Sequence, residues 1–181
     1  APDGRSRAPP VAAAHAARAF LTAHPTSGLI LGTDFRNAFG TVDRTIIRLA
    51  ARQFPILRHV VEFAYSAPST VTFGADEAGV KVLSATGVRQ GDPIAGILFS
   101  LVMKGVLNVI RRDFPDLRVI NFYDDCTLLA TNADTLQAAF SRLTEVAALA
   151  VLHMQPAKCI LYDRHGSNKP AAQTMGVTHT S

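Results

Sequence analysis

Carboxylate side chains follow two apolar runs of the chain, at the point where each run ends. Asp34 comes directly after the run 29–33, and the pair Asp124-Asp125 separates the runs 119–123 and 127–130. Short apolar runs predict strands, and the second and third runs together predict a hairpin with acids at its tip. Carboxylates are the ligands that Mg²⁺ prefers, and two such ions can clamp the attacking and leaving oxygens of a phosphoryl transfer. The sequence therefore predicts a two-metal site at the ends of neighbouring strands.

The Asp124-Asp125 pair has a simpler interpretation when it is taken alone, because aspartate also favours polar hairpin turns. Side chains alternate across a strand, so both carboxylates can face one site only if the turn bends the backbone. We therefore rank Asp124 above Asp125 as a direct metal ligand.

The elements that must position these residues alternate irregularly along the chain. Apolar content of 48% in 181 residues predicts one domain with a real core. Mixed helices and hairpins predict an α+β fold, in which helices pack on one face of an antiparallel sheet. The predicted helices are 11–23, one that runs from a cap at Thr41 or Asp43 to about 53, 55–66, 93–112 and 134–150, the last with Asp134 as a possible cap. The predicted strands are 29–34, 70–73, 80–83, 119–123, 127–130, 158–162 and 174–177.

Composition restricts the function less than the carboxylates do. A formal net charge of +4 and a pI near 9.4 favour a polyanionic partner. The two cysteines and six histidines have no zinc-site spacing. The longest apolar run, 94–103, is too short to span a membrane, so no membrane partner is expected. The chain begins with Ala1 instead of methionine, so we expect its true N-terminus to be missing and its targeting to be unreadable.

Three motifs in fixed order carry a resemblance to a known family. They are Asp-x-x-x-Ala-Phe at 34–39, Gln-Gly-Asp-Pro at 90–93 and x-x-Asp-Asp at 122–125. Together they resemble the palm domain of reverse transcriptases, most closely the non-LTR retroelement type, from about residue 29 to about 177. The resemblance implies RNA-directed DNA polymerisation, with two Mg²⁺ ions (or Mn²⁺) as cofactors and an RNA template, a DNA primer and dNTP as partners.

The resemblance also implies roles for individual residues at the metal site. Asp34 and Asp124 would bridge the metals, with Asp125 as the third catalytic carboxylate. The backbone carbonyl of Phe35 would be an additional metal ligand. Phe39 would be an aromatic gate that collides with a ribose 2′-OH, so that dNTP is preferred.

Other positions match the family's substrate-binding motifs. Gln90 and Gly91 would pack on the template base and the nucleotide, and Lys158 would lie near the triphosphate. Met175 and Gly176 resemble the start of the primer grip hairpin. Simpler interpretations remain open, since Phe39 also suits a core position and Lys158 a solvated surface.

Two features depart from the family pattern. Tyr123 stands where the family has a small or flexible aliphatic residue, near the primer end. Only 33 residues precede Asp34, and the chain ends at Ser181. We therefore expect residues 1–28 to be a lead-in and helix left from a fingers region, 29–181 to be the palm, and a thumb to be absent. An isolated palm would clamp a duplex poorly and would be a weak polymerase.

Three functions are compatible with these observations. The first is the palm of an RNA-directed DNA polymerase, which an active retroelement would use in the nucleus. The second is a catalytically inactive palm, co-opted as a scaffold or RNA-binding component of a larger ribonucleoprotein, in which case an organelle is an alternative location. The third, an RNA-dependent RNA polymerase, is disfavoured by Phe39 and the Gln-Gly-Asp-Pro motif.

Overall fold

Seven α-helices and seven strands make up the part of the chain that the computed structural model describes, residues 9–73, 79–89 and 91–181. Residues 1–8 of the predicted lead-in and residues 74–78 of the predicted hairpin loop lie outside these ranges. In chain order the elements are α1 (Pro9–Ala23), β1 (Leu29–Thr33), α2 (Ala38–Thr41), α3 (Arg44–Ala51), α4 (Pro55–Tyr65), β2 (Ser69–Phe73), β3 (Val80–Ser84), α5 (Ala95–Asp113), β4 (Arg118–Phe122), β5 (Asp125–Ala130), α6 (Ala133–Ala148), a 3-10 turn (Pro156–Lys158), β6 (Ile160–Asp163), α7 (Lys169–Met175) and β7 (Thr178–Thr180).

The central sheet has five strands in the order β4-β5-β1-β6-β7. The strand β1 lies in the middle and pairs antiparallel with both β5 and β6. The strands β2 and β3 form a separate two-stranded hairpin, as the sequence predicts. The α+β architecture is confirmed, but the sheet is mixed, because β6 and β7 pair in parallel.

One face of the sheet supplies the core. Leu31 lies opposite Leu128 on one side and Leu161 on the other, and all three side chains are fully buried. The helices α5 and α6 pack together over this core, and α7 packs on α6. In α6 the buried stripe is the predicted one and consists of Leu136, Ala139, Phe140, Leu143, Val146 and Ala147.

Helix caps explain several boundaries. The Asp43 side chain accepts hydrogen bonds from the amides of Thr45 and Ile46 at 2.6 and 3.1 Å, so Asp43 caps α3, one of the two predicted caps. At the start of α6 the cap is Asn132 instead of the predicted Asp134, and its side chain accepts from the Thr135 amide at 3.0 Å.

Two sequence-based predictions of elements are wrong. The helix expected from Pro93 begins at Ala95, because Asp92 and Pro93 form a turn in which the Asp92 side chain accepts from the Ile94 amide. No strand forms at 174–177, and the first two of these residues are the end of α7. That helix ends where Gly176 adopts a left-handed conformation with φ of 68°, and β7 begins only at Thr178.

No helix in the described ranges is long and apolar enough to cross a bilayer.

Candidate active site

The β4–β5 hairpin turns within two residues, Tyr123 and Asp124. Phe122 pairs with Asp125 across the hairpin, so Asp124 lies at the tip and Asp125 begins β5. Tyr123 adopts φ of 54°, which is uncommon for a bulky residue, and the Asn121 side-chain amide donates to its carbonyl at 3.1 Å. The backbone therefore bends just before Asp124, as it must if Asp124 and Asp125 are to face the same site.

Asp34 lies beside this hairpin. The last pair of β1 and β5 is Thr33 with Cys126, so continuing the register by one residue would place Asp34 opposite Asp125. Alternation also places Asp34 on the face opposite to Leu31, away from the core. That face is open at Gly32, where an added Cβ would meet only the Ile160 carbonyl at 3.9 Å. The topology thus brings the three predicted catalytic carboxylates to one end of two adjacent strands.

The backbone around Asp34 is held by the segment 153–159. The Arg36 amide donates to the His153 carbonyl at 2.8 Å, and the Asp34 carbonyl accepts from the Gln155 amide at 2.9 Å. Between these two hydrogen bonds, Phe35 pairs with Met154 in an isolated antiparallel β-bridge. The Phe35 ring is buried. The Phe35 side chain has no donor atom for a metal, so only its backbone carbonyl could serve as the predicted ligand.

Phe39, the predicted gate, lies in an aromatic cluster. Its ring stacks on Phe99 of α5 with centroids 4.4 Å apart, and the edge of Tyr123 meets it at 5.9 Å. The Tyr123 ring also covers Gly96, where an added Cβ would lie 2.8 Å from Cε1 of Tyr123. Tyr123 therefore packs against Phe39 and Gly96 and remains only 38% exposed.

The loop before α5 is fastened to the Asp34–Phe39 motif. Gly87 donates to the Val42 carbonyl at 3.0 Å, and Val88 donates to the Phe39 carbonyl at 2.8 Å. Gly87 has φ of 66°, and an added Cβ would collide with the carbonyls of Phe39 and Gly40, so only glycine fits here.

The predicted nucleotide-binding residues Gln90 and Gly91 belong to this loop. Gln90 lies outside the described residues. Gly91 has φ of 86° and is exposed, and an added Cβ would meet nothing within 4 Å.

A polar network that the sequence argument missed supports the same loop. Tyr65 of α4 donates its hydroxyl to Asp92 at 2.5 Å and accepts from the Arg89 amide at 3.3 Å. Burial and the Asp92 hydrogen bond raise the pKa of Tyr65. The Arg44 guanidinium donates to the carbonyls of Ser84, Thr86 and Gly87, and burial lowers its pKa. Local sequence patterns do not predict these contacts, because the contacts join residues that are 24 to 43 positions apart in the chain.

The remaining predicted residues lie on the other side of β1. Lys158 is exposed at the end of the 3-10 turn Pro156–Lys158, next to the buried Cys159. Met175 and Gly176 lie at the C-terminal end of α7, and the Met175 side chain is buried. The predicted hairpin start is therefore not formed by these residues, and their proximity to a primer stays a prediction.

The donor set suits a hard cation. Within residues 9–73, 79–89 and 91–181, the carboxylates of Asp34, Asp124 and Asp125 take part in no ion pair and accept no hydrogen bond. In the same ranges, no group of three or more His, Cys, Asp or Glu side chains is arranged to hold a metal. Two carboxylates with substrate phosphates and waters are sufficient for Mg²⁺, so the oxygen ligands fit this ion.

Comparison with known proteins decides the family. The family model described as "Reverse transcriptase (RNA-dependent DNA polymerase)" matches residues 2–178. The chain belongs to the reverse transcriptase family. The non-LTR type predicted from the three motifs is confirmed by a relative in Nasonia vitripennis, the Pol polyprotein of a type-1 R2 retrotransposable element, which is 32% identical over 135 residues. The corresponding type-2 R2 polyprotein of Drosophila melanogaster is 26% identical over 156 residues.

These matches cover 70% and 81% of this reverse transcriptase chain, but only 13% and 15% of the two polyproteins. Among solved structures, apo telomerase from Candida tropicalis superposes with a TM-score of 0.68 at 11% identity, covering 87% of this chain and 33% of that one. Telomerase from Candida albicans in complex with an RNA fragment superposes with a TM-score of 0.60 at 12% identity, covering 83% and 30%. At such identities the superpositions establish the palm fold alone.

Proposed function

We propose that this reverse transcriptase domain catalyses RNA-directed DNA synthesis, transferring a nucleotide from dNTP to a primer 3′ end. The observation that carries the proposal is the placement of Asp34 and Asp124-Asp125 at the same end of adjacent strands, with carboxylates that no described cation neutralises. Carboxylate oxygens grouped in this way are the ligands that a hard divalent cation prefers.

Asp34 and Asp124 would hold the two Mg²⁺ ions, with Asp125 and the Phe35 carbonyl as further ligands. When bound, these ions lower the pKa of the primer hydroxyl and neutralise the departing pyrophosphate. The protein's own contribution is orientation, because the hairpin tip and the clamped backbone at Asp34 fix the oxygens before substrate arrives.

The other residues of the site would recognise the nucleotide and the strands. Phe39 would exclude a ribose 2′-OH, since its ring is held between Phe99 and Tyr123 and cannot move aside freely. Gln90 and Gly91 would contact the template base and the nucleotide, and Lys158 would approach the triphosphate.

The partners would be an RNA template and a DNA primer, with Mn²⁺ as an alternative to Mg²⁺. A role as an inactive scaffold in a ribonucleoprotein has less support, because a co-opted domain has no need for three uncompensated acids. Synthesis by this chain alone would be poorly processive, because an isolated palm makes few contacts with the phosphates of a duplex.

The test is incorporation of a single dNTP on an RNA template, which does not require processive synthesis. Asp124→Asn is expected to reduce the rate about 100-fold or more, as loss of one preorganised electrostatic group does. The matched control is Asp116→Asn, at the opposite end of β4, where the carboxylate is exposed. A wild-type rate in Asp124→Asn, or equal losses in both variants, would contradict the proposal.

A further inference from the structure

A buried thiol lies directly against the backbone of Asp34. The Asp34 amide donates to Sγ of Cys159 at 3.4 Å, and the same thiol donates to the Gln155 carbonyl at 3.3 Å. The Gln155 amide in turn donates to the Asp34 carbonyl at 2.9 Å. Cys159 is fully buried, so the three residues form a closed ring of hydrogen bonds beneath the site.

The fold explains why a side chain is needed there. The strand β6 begins at Ile160, which pairs with Gly32, and the 3-10 turn Pro156–Lys158 comes immediately before it. A regular strand would continue the ladder and offer a carbonyl to the Asp34 amide. The turn removes that carbonyl, and the thiol of Cys159 takes its place.

The thiol suits this position because it can accept and donate at once. The sulfur accepts from the Asp34 amide while the thiol donates to the Gln155 carbonyl. Loss of the thiol would leave the partly buried Asp34 amide without its partner, which is costly, whereas the Gln155 carbonyl would keep its bond from the Lys158 amide at 2.9 Å.

We propose that Cys159 is a positioning residue for Asp34, fixing the backbone of this metal ligand and tying it to the turn that carries Lys158. The inference rests on the proposed function, because it takes Asp34 as a ligand of the catalytic metal. Cys159 itself touches neither metal nor substrate.

The experiment compares Cys159→Ala and Cys159→Ser with Cys126→Ala. Cys126 is an equally buried cysteine on β5, and its removal leaves the bond between Cys159 and Asp34 in place. Two quantities are measured by NMR without substrate, namely hydrogen exchange of the Asp34 amide and the Mn²⁺ concentration that half-broadens the signals around Asp34. Mn²⁺ alone is the probe.

In Cys159→Ala we expect exchange of the Asp34 amide to accelerate about fivefold relative to the rest of β1, the factor that one hydrogen bond contributes. The half-broadening concentration should rise about 10-fold, as it does when groups that orient metal ligands are lost. Cys159→Ser, which keeps a donor and an acceptor, should recover part of both effects. Cys126→Ala should match the wild type.

Two results would overturn the inference. If Cys159→Ala accelerates exchange equally throughout β1 and β6 and leaves the Mn²⁺ dependence unchanged, the thiol only fills space. If Mn²⁺ does not broaden the signals around Asp34 in the wild type, the proposed function fails as well. The wild-type titration therefore distinguishes failure of the proposed function from failure of the inference about Cys159 alone.

Discussion

At the scale of residues, the site is defined by contacts that fix side chains on both sides of Asp34. Tyr123, which departs from the family pattern, is accommodated because Gly96 on α5 has no Cβ. Its ring packs edge-on against Phe39 and is 38% exposed. The bulky residue thus packs against Gly96 and Phe39, and we propose that it adds a second wall to the gate.

Gly96→Ala tests this arrangement. The added methyl would displace the Tyr123 ring, whose outer end is partly exposed and can move, so we expect stability to change by less than about 1 kcal/mol. Phe39 would lose a contact worth about 1 kcal/mol, and the preference for dNTP over rNTP should fall about fivefold. The preference is measured by single-nucleotide incorporation.

The matched control is Gly105→Ala in the same helix, because an added Cβ there meets nothing within 4 Å. An unchanged dNTP preference in Gly96→Ala, with the Tyr123 ring displaced, would show that Tyr123 does not support the gate.

At the scale of elements, the short helix α7 depends on one buried acid. The Asp163 carboxylate accepts hydrogen bonds from the amides of His165 and Asn168 and from the side chains of Ser167 and Asn168. Burial opposes ionisation, but hydrogen bonds, first those from Asn168, hold the pKa of Asp163 below its ordinary value. His179 lies 4.0 Å away on β7, so the acid also joins α7 to the edge of the sheet.

We expect Asp163→Ala to lower the free energy of unfolding by about 2–3 kcal/mol at neutral pH, since buried donors would lose a charged acceptor. Asp116→Ala, an exposed aspartate, is the control. Because the folded pKa is depressed, the contribution of Asp163 is complete above the unfolded pKa of ~3.9 and is lost as the pH falls through the folded value. Urea unfolding at pH 7 and near pH 3 checks both statements, and a difference that persists undiminished at pH 3 would contradict them.

Local sequence patterns predict much of this architecture. The stripe of α6, the Asp43 cap and the β4–β5 hairpin follow from periodicity and turn chemistry over a few residues. The motif spacing also identified the three carboxylates that the sheet brings to one end. These features are predictable because each is decided within one element or one turn.

Long-range contacts were not predictable in the same way. The bond between Asp34 and Cys159 spans 125 positions, and no local period marks either residue as a partner. The prediction of a strand at 174–177 is wrong because Gly176 ends α7 in a left-handed conformation. The parallel pairing of β6 and β7 depends on that helix as the connection.

At the scale of the whole molecule, β1 is the strand on which the site depends. It pairs with β5 on one side and β6 on the other, so the segments at 34, 124 and 158 meet although they are far apart in the chain. The loop before α5 is fastened to the same region through Gly87 and Val88. In this palm the sheet therefore orients the segments that carry the predicted metal ligands.

The most direct test of the account is a change of metal preference at Asp34. In Asp34→Cys a soft thiolate replaces a hard carboxylate, so single-dNTP incorporation on an RNA template should fall about 100-fold with Mg²⁺. Partial recovery is expected when Cd²⁺, which thiolates bind well, is added, while Cd²⁺ should not improve the wild type. Wild-type incorporation by Asp34→Cys in Mg²⁺ would contradict the assignment of Asp34 as a metal ligand, and with it the proposed site.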